Sequence, residues 1–263
     1  MKNRTIALLG SLLVFSTLIY SSIAFAQDRS GAKPEVGIEE QLGTTIPADL
    51  EFYDEHGQIV TLGDLVNKPT ILTLVFYRCQ GICTPLLMET ASIVDKMGLE
   101  PGQDYQILTL SFDFTEKPSL AQAKKFNFLK ALEKKVPNDF WRFLTGDSAN
   151  VFALTNAVGF YFKPEEDQFI HPGALIFLSP ERKVTRYLLG ITYLPFDVKM
   201  ALMEASEGRT GPTIAKLLKF CYTYDAEGRT YAMNITRIAG IGILLLIGVF
   251  VTFVVLKPKR ARN

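Results

Sequence analysis

Apolar positions along this chain fall into two periods. Thr70–Phe76 is apolar on both faces, as a central parallel strand should be, and Tyr105–Phe112 reads as the next strand. Between and after them come stretches of helical spacing. Leu86, Leu87, Ile93, Val94 and Met97 line one face of a helix that Thr84 can cap, with Pro85 at its first position and Gly98 as its stop. Ser119–Lys134 reads as an amphipathic helix, Phe140–Leu144 as a short strand, and Asp147 as the cap of a helix running to about Asn156. Glu51–Val60 predicts a hairpin turning at His56-Gly57, and Ala174–Leu178 with Lys183–Leu188 a second one turning at 179–182. Pro195–Ser206 closes the series as a helix. The order predicts an α/β domain, with a parallel core sheet finished by an antiparallel hairpin.

The two ends carry a different pattern. Lys2 and Arg4 precede the apolar run Ile6–Tyr20 and then Ala24-Phe25-Ala26, the order of a secretory signal or, left uncleaved, of an N-terminal anchor. Ile238–Leu256 is uncharged throughout and at about 1.5 Å per residue reaches roughly 28 Å, close to a hydrocarbon core of about 30 Å. Lys257, Lys259, Arg260 and Arg262 follow it, which places the C-terminus in the cytoplasm and everything upstream on the far side. The expected division is therefore 1–26 signal or anchor, 27–45 leader, 46–206 folded domain, 207–236 linker, 237–256 transmembrane helix and 257–263 basic tail.

Composition narrows the function classes. Six of the 28 basic residues are the terminal ones just named, so 22 basic face 27 acidic residues over the rest, and no basic surface is left for nucleic acid. The chain has three cysteines and two histidines, which limits the chelating sites it can assemble. Cys79 and Cys83, in Phe76-Tyr-Arg-Cys-Gln-Gly-Ile-Cys-Thr-Pro85, sit where a strand meets a helix N-terminus, and both thiols should ionise more easily there than free cysteine. Gly81 lets the loop fold back. The spacing suits a shared metal without excluding a disulfide, which an oxidising export compartment invites. His171, in Phe169-Ile-His-Pro-Gly-Ala174, stands where a neighbouring strand would arrive beside that loop. Two thiolates and an imidazole make a soft three-donor set that suits Cu(I). His56, in a hairpin turn, is expected to be solvated, and Cys221 to be a lone thiol near the membrane surface.

Residues 45–206 resemble the Sco/SenC family, thioredoxin-like copper-binding assembly factors for cytochrome c oxidase. The likeness rests on Tyr77-Arg78-Cys79-x-x-x-Cys83, Ser111-Phe112-Asp113, His171-Pro-Gly-Ala174-Leu175-Ile-Phe-Leu, and Ser179-Pro-Glu-Arg-Lys-Val-Thr-Arg-Tyr187 with Gly190. Three features depart from the family's pattern, the first being a C-terminal span, as in a subgroup with Cys221-Tyr-x-Tyr-Asp225, where many members anchor by an N-terminal helix. The proline after the second cysteine comes one position late, as Pro85, and the family's Asp-Pro-x-x-Asp-Thr-Pro is reduced to Asp113-Phe-Thr-Glu-Lys-Pro118. The resemblance implies a thioredoxin-like fold with copper, Cu(I) or Cu(II), on Cys79, Cys83 and His171. It also implies delivery to the dinuclear copper site of cytochrome c oxidase subunit II or a similar membrane protein. An upstream copper donor, a thiol reductant and a periplasmic domain on the inner membrane would go with it. The rival is a thiol–disulfide reductase using Cys79 and Cys83 alone, to keep the client's cysteines reduced. A peroxidase and a copper or redox sensor are further alternatives.

Overall fold

The central sheet is built on two strands that bury every residue, β4 (Thr70–Val75) and β5 (Gln106–Ser111). Their polar members are satisfied inside it. Thr73 and Thr109 share a hydroxyl contact of 2.7 Å, and Trp141 Nε1 donates to Thr109 Oγ1 at 2.8 Å. In the computed structural model residues 34–210 are described, together with the backbone of two strands that pair with each other, Tyr222–Asp225 and Thr230–Met233, and residues 246, 247 and 250. β6 (Trp141–Leu144) lies beside β5, and β10 (Ala174–Leu178) beside β4, with β11 (Val184–Leu189) outermost, in the order β11-β10-β4-β5-β6. β4, β5 and β6 are parallel, while β10 runs antiparallel to both β4 and β11. This is the parallel sheet closed by an antiparallel hairpin that the pattern predicts, and helices flank it.

Helix α2 (Cys83–Lys96) follows β4, α3 (Pro118–Lys130) packs along β6, α4 (Ser148–Ala157) follows β6, and α5 (Pro195–Ser206) packs on β10 and β11. Asp147 caps α4 as expected, its carboxylate accepting from the Asn150 N–H at 2.8 Å. Thr84 does not cap α2. The helix begins two residues earlier, with Ile82 at the cap and no side-chain bond, so Thr84 and Pro85 lie inside its first turn. Proline is tolerated there because the N–H it lacks has no helical partner. Helix α3 stops at Lys130, short of the expected Lys134, because the Asp95 carboxylate of α2 accepts from the Glu133 and Lys134 N–H groups at 3.1 and 3.0 Å and turns the chain away.

The hairpin β2 (Glu51–Tyr53) and β3 (Ile59–Thr61) turns where expected, with Asp54 Oδ1 accepting from the N–H groups of His56 and Gln58 and Gly57 at φ 79°. Thr61 then caps the single turn α1 (Leu62–Leu65). Within residues 34–210 four short strands have no counterpart in the sequence reading, nor do the two at 222–225 and 230–233, in the segment read as linker. β1 (Gly37–Ile38), in the segment read as leader, pairs with β7 (Phe160–Tyr161), and β8 (Lys163–Glu165) turns back as β9 (Gln168–Ile170) through Glu166 at φ 52°. Among the described residues no helix is long and apolar enough to cross a membrane. The signal or anchor read over 1–26, Cys221, and all of the span read over 237–256 except residues 246, 247 and 250 lie outside the described residues.

Candidate metal centre

The topology brings the three predicted donors together. Parallel strands β4 and β5 end on the same side, and antiparallel β10 begins there. Cys79, four residues past β4, therefore meets His171, three residues before β10. Cys83 is the first residue of α2. The Cys79, Cys83 and His171 donor atoms all lie within 4.8 Å of one another, and all three residues are buried. Cys83 Sγ is 3.4 Å from His171 Nε2. His171 Nδ1 lies 2.9 Å from the Pro172 carbonyl, which can only accept, so Nδ1 donates there and Nε2 is the nitrogen that faces the sulfurs. Both cysteines are free thiols. His56, by contrast, is an exposed turn residue 3.7 Å from Glu55.

Burial divides the two thiols. Cys79 is pulled down to about 4, first by the hydrogen bond from Cys83 against the opposing effect of burial, then by His171 and by the N–H groups of Cys83 and Gly81. The Gly81 N–H reaches its sulfur at 3.2 Å. Burial, with the proton Cys83 gives to Cys79, pushes Cys83 well above the ordinary thiol value. The expectation that both thiols ionise easily is thus corrected for Cys83, because its place inside the core outweighs the helix N-terminus. The pair holds one proton between two sulfurs, with the charge on Cys79.

Two sets of neighbours fix the donors in place, and the sequence reading named neither in that role. Phe112, fully buried, centres a cluster with Phe76, Phe162 and Phe169 and sets its ring 5.0 Å from that of His171. On the cysteine side stands Glu116, from the loop between β5 and α3. Its Oε2 accepts from the Tyr77 N–H at 2.7 Å and from Ser111 Oγ at 2.6 Å, while Oε1 accepts from the Arg78 N–H at 2.8 Å. The two residues leading into Cys79 thus hang on one buried carboxylate. Asp113 has a place in the same array, pairing with Arg78 at 2.7 Å and accepting from the Thr115 N–H at 2.9 Å. The one available signal was positional, since loops after adjacent parallel strands gather at one end of a sheet.

The sequence profile of the SCO1/SenC family matches residues 39–195, more than half of the chain. The chain belongs to the SCO1/SenC family. No curated protein matches it. Among solved structures it is similar to a putative electron transfer protein from Aquifex aeolicus VF5, at 26% identity over 64% of this chain and 95% of that one, with a TM-score of 0.58. It shares its fold with Arabidopsis thaliana ScoI, solved with copper bound, at 20% identity over 63% and 98% of the two chains and a TM-score of 0.51. The same holds for BsSco, a member of the Sco family of cytochrome c oxidase assembly proteins in which a disulfide switch was identified. There the identity is 23% over 64% and 98%, and the TM-score 0.50. Within the SCO1/SenC fold the matched region contains all three clustered donors.

Proposed function

We propose that this chain is a copper carrier that holds its cargo on Cys79, Cys83 and His171 and passes it to the dinuclear copper site of a cytochrome c oxidase. The observation that carries this reading is the convergence of two sulfurs and one imidazole nitrogen within 4.8 Å, inside a wall of phenylalanine rings. Soft sulfur donors favour Cu(I), and three donors leave an edge at which a partner's cysteine or histidine can enter and take the ion by ligand exchange. Family membership and the copper-bound Arabidopsis relative support copper as the cargo. Under this reading the C-terminal apolar stretch tethers the domain to the inner membrane on its periplasmic side. The search for a membrane-bound client is then confined to the membrane plane, and its effective concentration rises.

A second reading is a thiol–disulfide reductase that keeps the client's cysteines reduced. Cys79 favours it, because a thiol lowered to about 4 beside a second free thiol is a ready nucleophile. Titrating Cu(I) into the reduced full chain against a competing chelator, with His171→Ala in parallel, separates the two. The carrier requires one tight equivalent that weakens about ten-fold or more without His171, roughly 1.4 kcal/mol. Binding indifferent to His171 would leave the reductase.

A further inference from the structure

Among the described residues, Cys79 lines a groove. The groove has a volume of about 830 Å³ and runs between the Tyr77–Gln80 segment on one side and the β8–β9 hairpin on the other. Neither Cys83 nor His171 lines it, so the groove is an approach to the site by way of Cys79 alone. We propose that this groove receives an extended segment of the partner polypeptide that carries a basic residue beside its cysteine, with the hairpin tip reading the positive charge. The inference rests on the exchange chemistry proposed above, and it names the partner's local chemistry.

The charges around the groove support this choice. Arg78 is already engaged by Asp113 at 2.7 Å and by Glu116 at 3.3 Å, and Lys163 of the hairpin is engaged by Glu35 at 2.8 Å. Among the described residues Glu166 and Asp167, exposed at the tip and lining the groove, make no ion pair, and the opposite wall offers one uncommitted cation, Lys124. Two open carboxylates against one amine leave the groove negative, on the side an entering chain must pass. A cationic side chain next to the incoming sulfur would be drawn to the tip and would set the order in which the segment lies past Cys79.

The step can be followed without metal. The reduced full chain is mixed with a five-residue peptide whose cysteine is capped by 2-nitro-5-thiobenzoate. The Cys79 thiolate attacks the peptide sulfur, a Cys79–peptide disulfide forms, the sulfur–sulfur bond to the cap breaks, and the coloured thiobenzoate anion leaves with the electron pair. Peptides with lysine on both sides of the cysteine should react at least about five-fold faster than those with glutamate. That is the scale expected of two surface carboxylates acting on a cation, and it should vanish in about 1 M salt. Glu166→Lys with Asp167→Lys should abolish or invert the preference, and Glu166→Gln with Asp167→Asn should reduce it.

Glu133→Lys with Asp139→Lys should leave the preference intact. Asp139 precedes β6 and so lies at the end of the sheet opposite the Cys79 loop. Equal rates for the two peptides, a preference that survives the hairpin changes, or equal loss in the distant variant would each overturn the proposal. So would a fall in Cu(I) affinity in the hairpin variants, since the charges would then act on the metal centre rather than on a bound segment. None of the exchange rates depends on copper, so failure here and failure of the carrier reading are separate results.

Discussion

Replacing Glu116 tests whether the cysteine loop hangs on one carboxylate. The side chain is fully buried and its two oxygens serve three neighbours besides the Arg78 guanidinium. In Glu116→Ala the buried Tyr77 N–H and the half-buried Arg78 N–H lose their acceptor, whereas Ser111 Oγ keeps an alternative in the Asp113 carbonyl at 3.4 Å. An orphaned buried donor costs about 1–3 kcal/mol, so two of them, one partly wetted, should cost about 3 kcal/mol. The Arg78 ion pair adds little to that figure, because its side chain is 57% exposed. In a domain of this size the loss lowers Tm by roughly 6–12 °C, read by circular dichroism on the reduced, metal-free protein.

The sharper variant is Glu116→Gln. It keeps the volume, but one acceptor oxygen becomes an amide that points a donor at a donor, so it should be nearly as damaging as alanine. Cu(I) affinity should fall in both variants, because Cys79 is the next residue along the chain. If glutamine stays within about 0.5 kcal/mol of the native protein, Glu116 is packing material and the argument from its hydrogen bonds is wrong.

Three further outcomes follow. Because Cys79 is held down to about 4, its alkylation by iodoacetamide, mapped by mass spectrometry, should be nearly constant from pH 8 to pH 6. A thiol with an ordinary value near 8.5 would slow about ten-fold per unit over that range, and such a slope would refute the assignment. The same lowering stabilises the fold fully above the unfolded thiol's value of 9.0, and that contribution is lost progressively as the pH falls through about 4. Phe112→Ala empties a fully buried site beside His171 and should cost about 3–5 kcal/mol by urea unfolding. It should also weaken Cu(I) binding more than Phe128→Ala does, since Phe128 stacks on Phe143 and not on His171; equal effects would deny the ring cluster its part in aiming the imidazole.

The large elements could be read from the sequence because the sheet is buried. A strand covered on both faces carries no charge and is rich in apolar residues, so β4, β5 and β10 appear as uncharged runs, unbroken in β10 and interrupted only by internally bonded polar residues in β4 and β5. The cluster of Cys79, Cys83 and His171 could be anticipated because soft donors are scarce in this chain, and two near-adjacent thiols leave few choices for a third partner. What escaped has no periodicity to betray it. The β8–β9 hairpin contains Pro164, Glu165, Glu166 and Asp167, a composition that reads as loop, and its pairing is a tertiary outcome. Glu116 is one charged residue in a short connection, and only the meeting of two loops at one end of the sheet gives it a task. The start of α2 was misplaced because Thr84 looked like a cap, and nothing local says that the helix can begin two residues earlier without one.

The separation of Cys83 and His171 by 88 positions has a consequence for when the protein can be loaded. One ligand pair belongs to the end of a parallel strand, and the third ligand to the beginning of an antiparallel one, so the complete set exists only after the two halves of the sheet have docked. An unfolded chain offers two thiols and a distant imidazole, with a closure entropy to meet before they can act together. An ion held by all three donors therefore distinguishes finished molecules from unfinished ones. At a free concentration one hundred times its Kd it adds about 2.7 kcal/mol to the finished form. Three-donor loading would thus act as an inspection stamp, tightest on chains that have completed their fold.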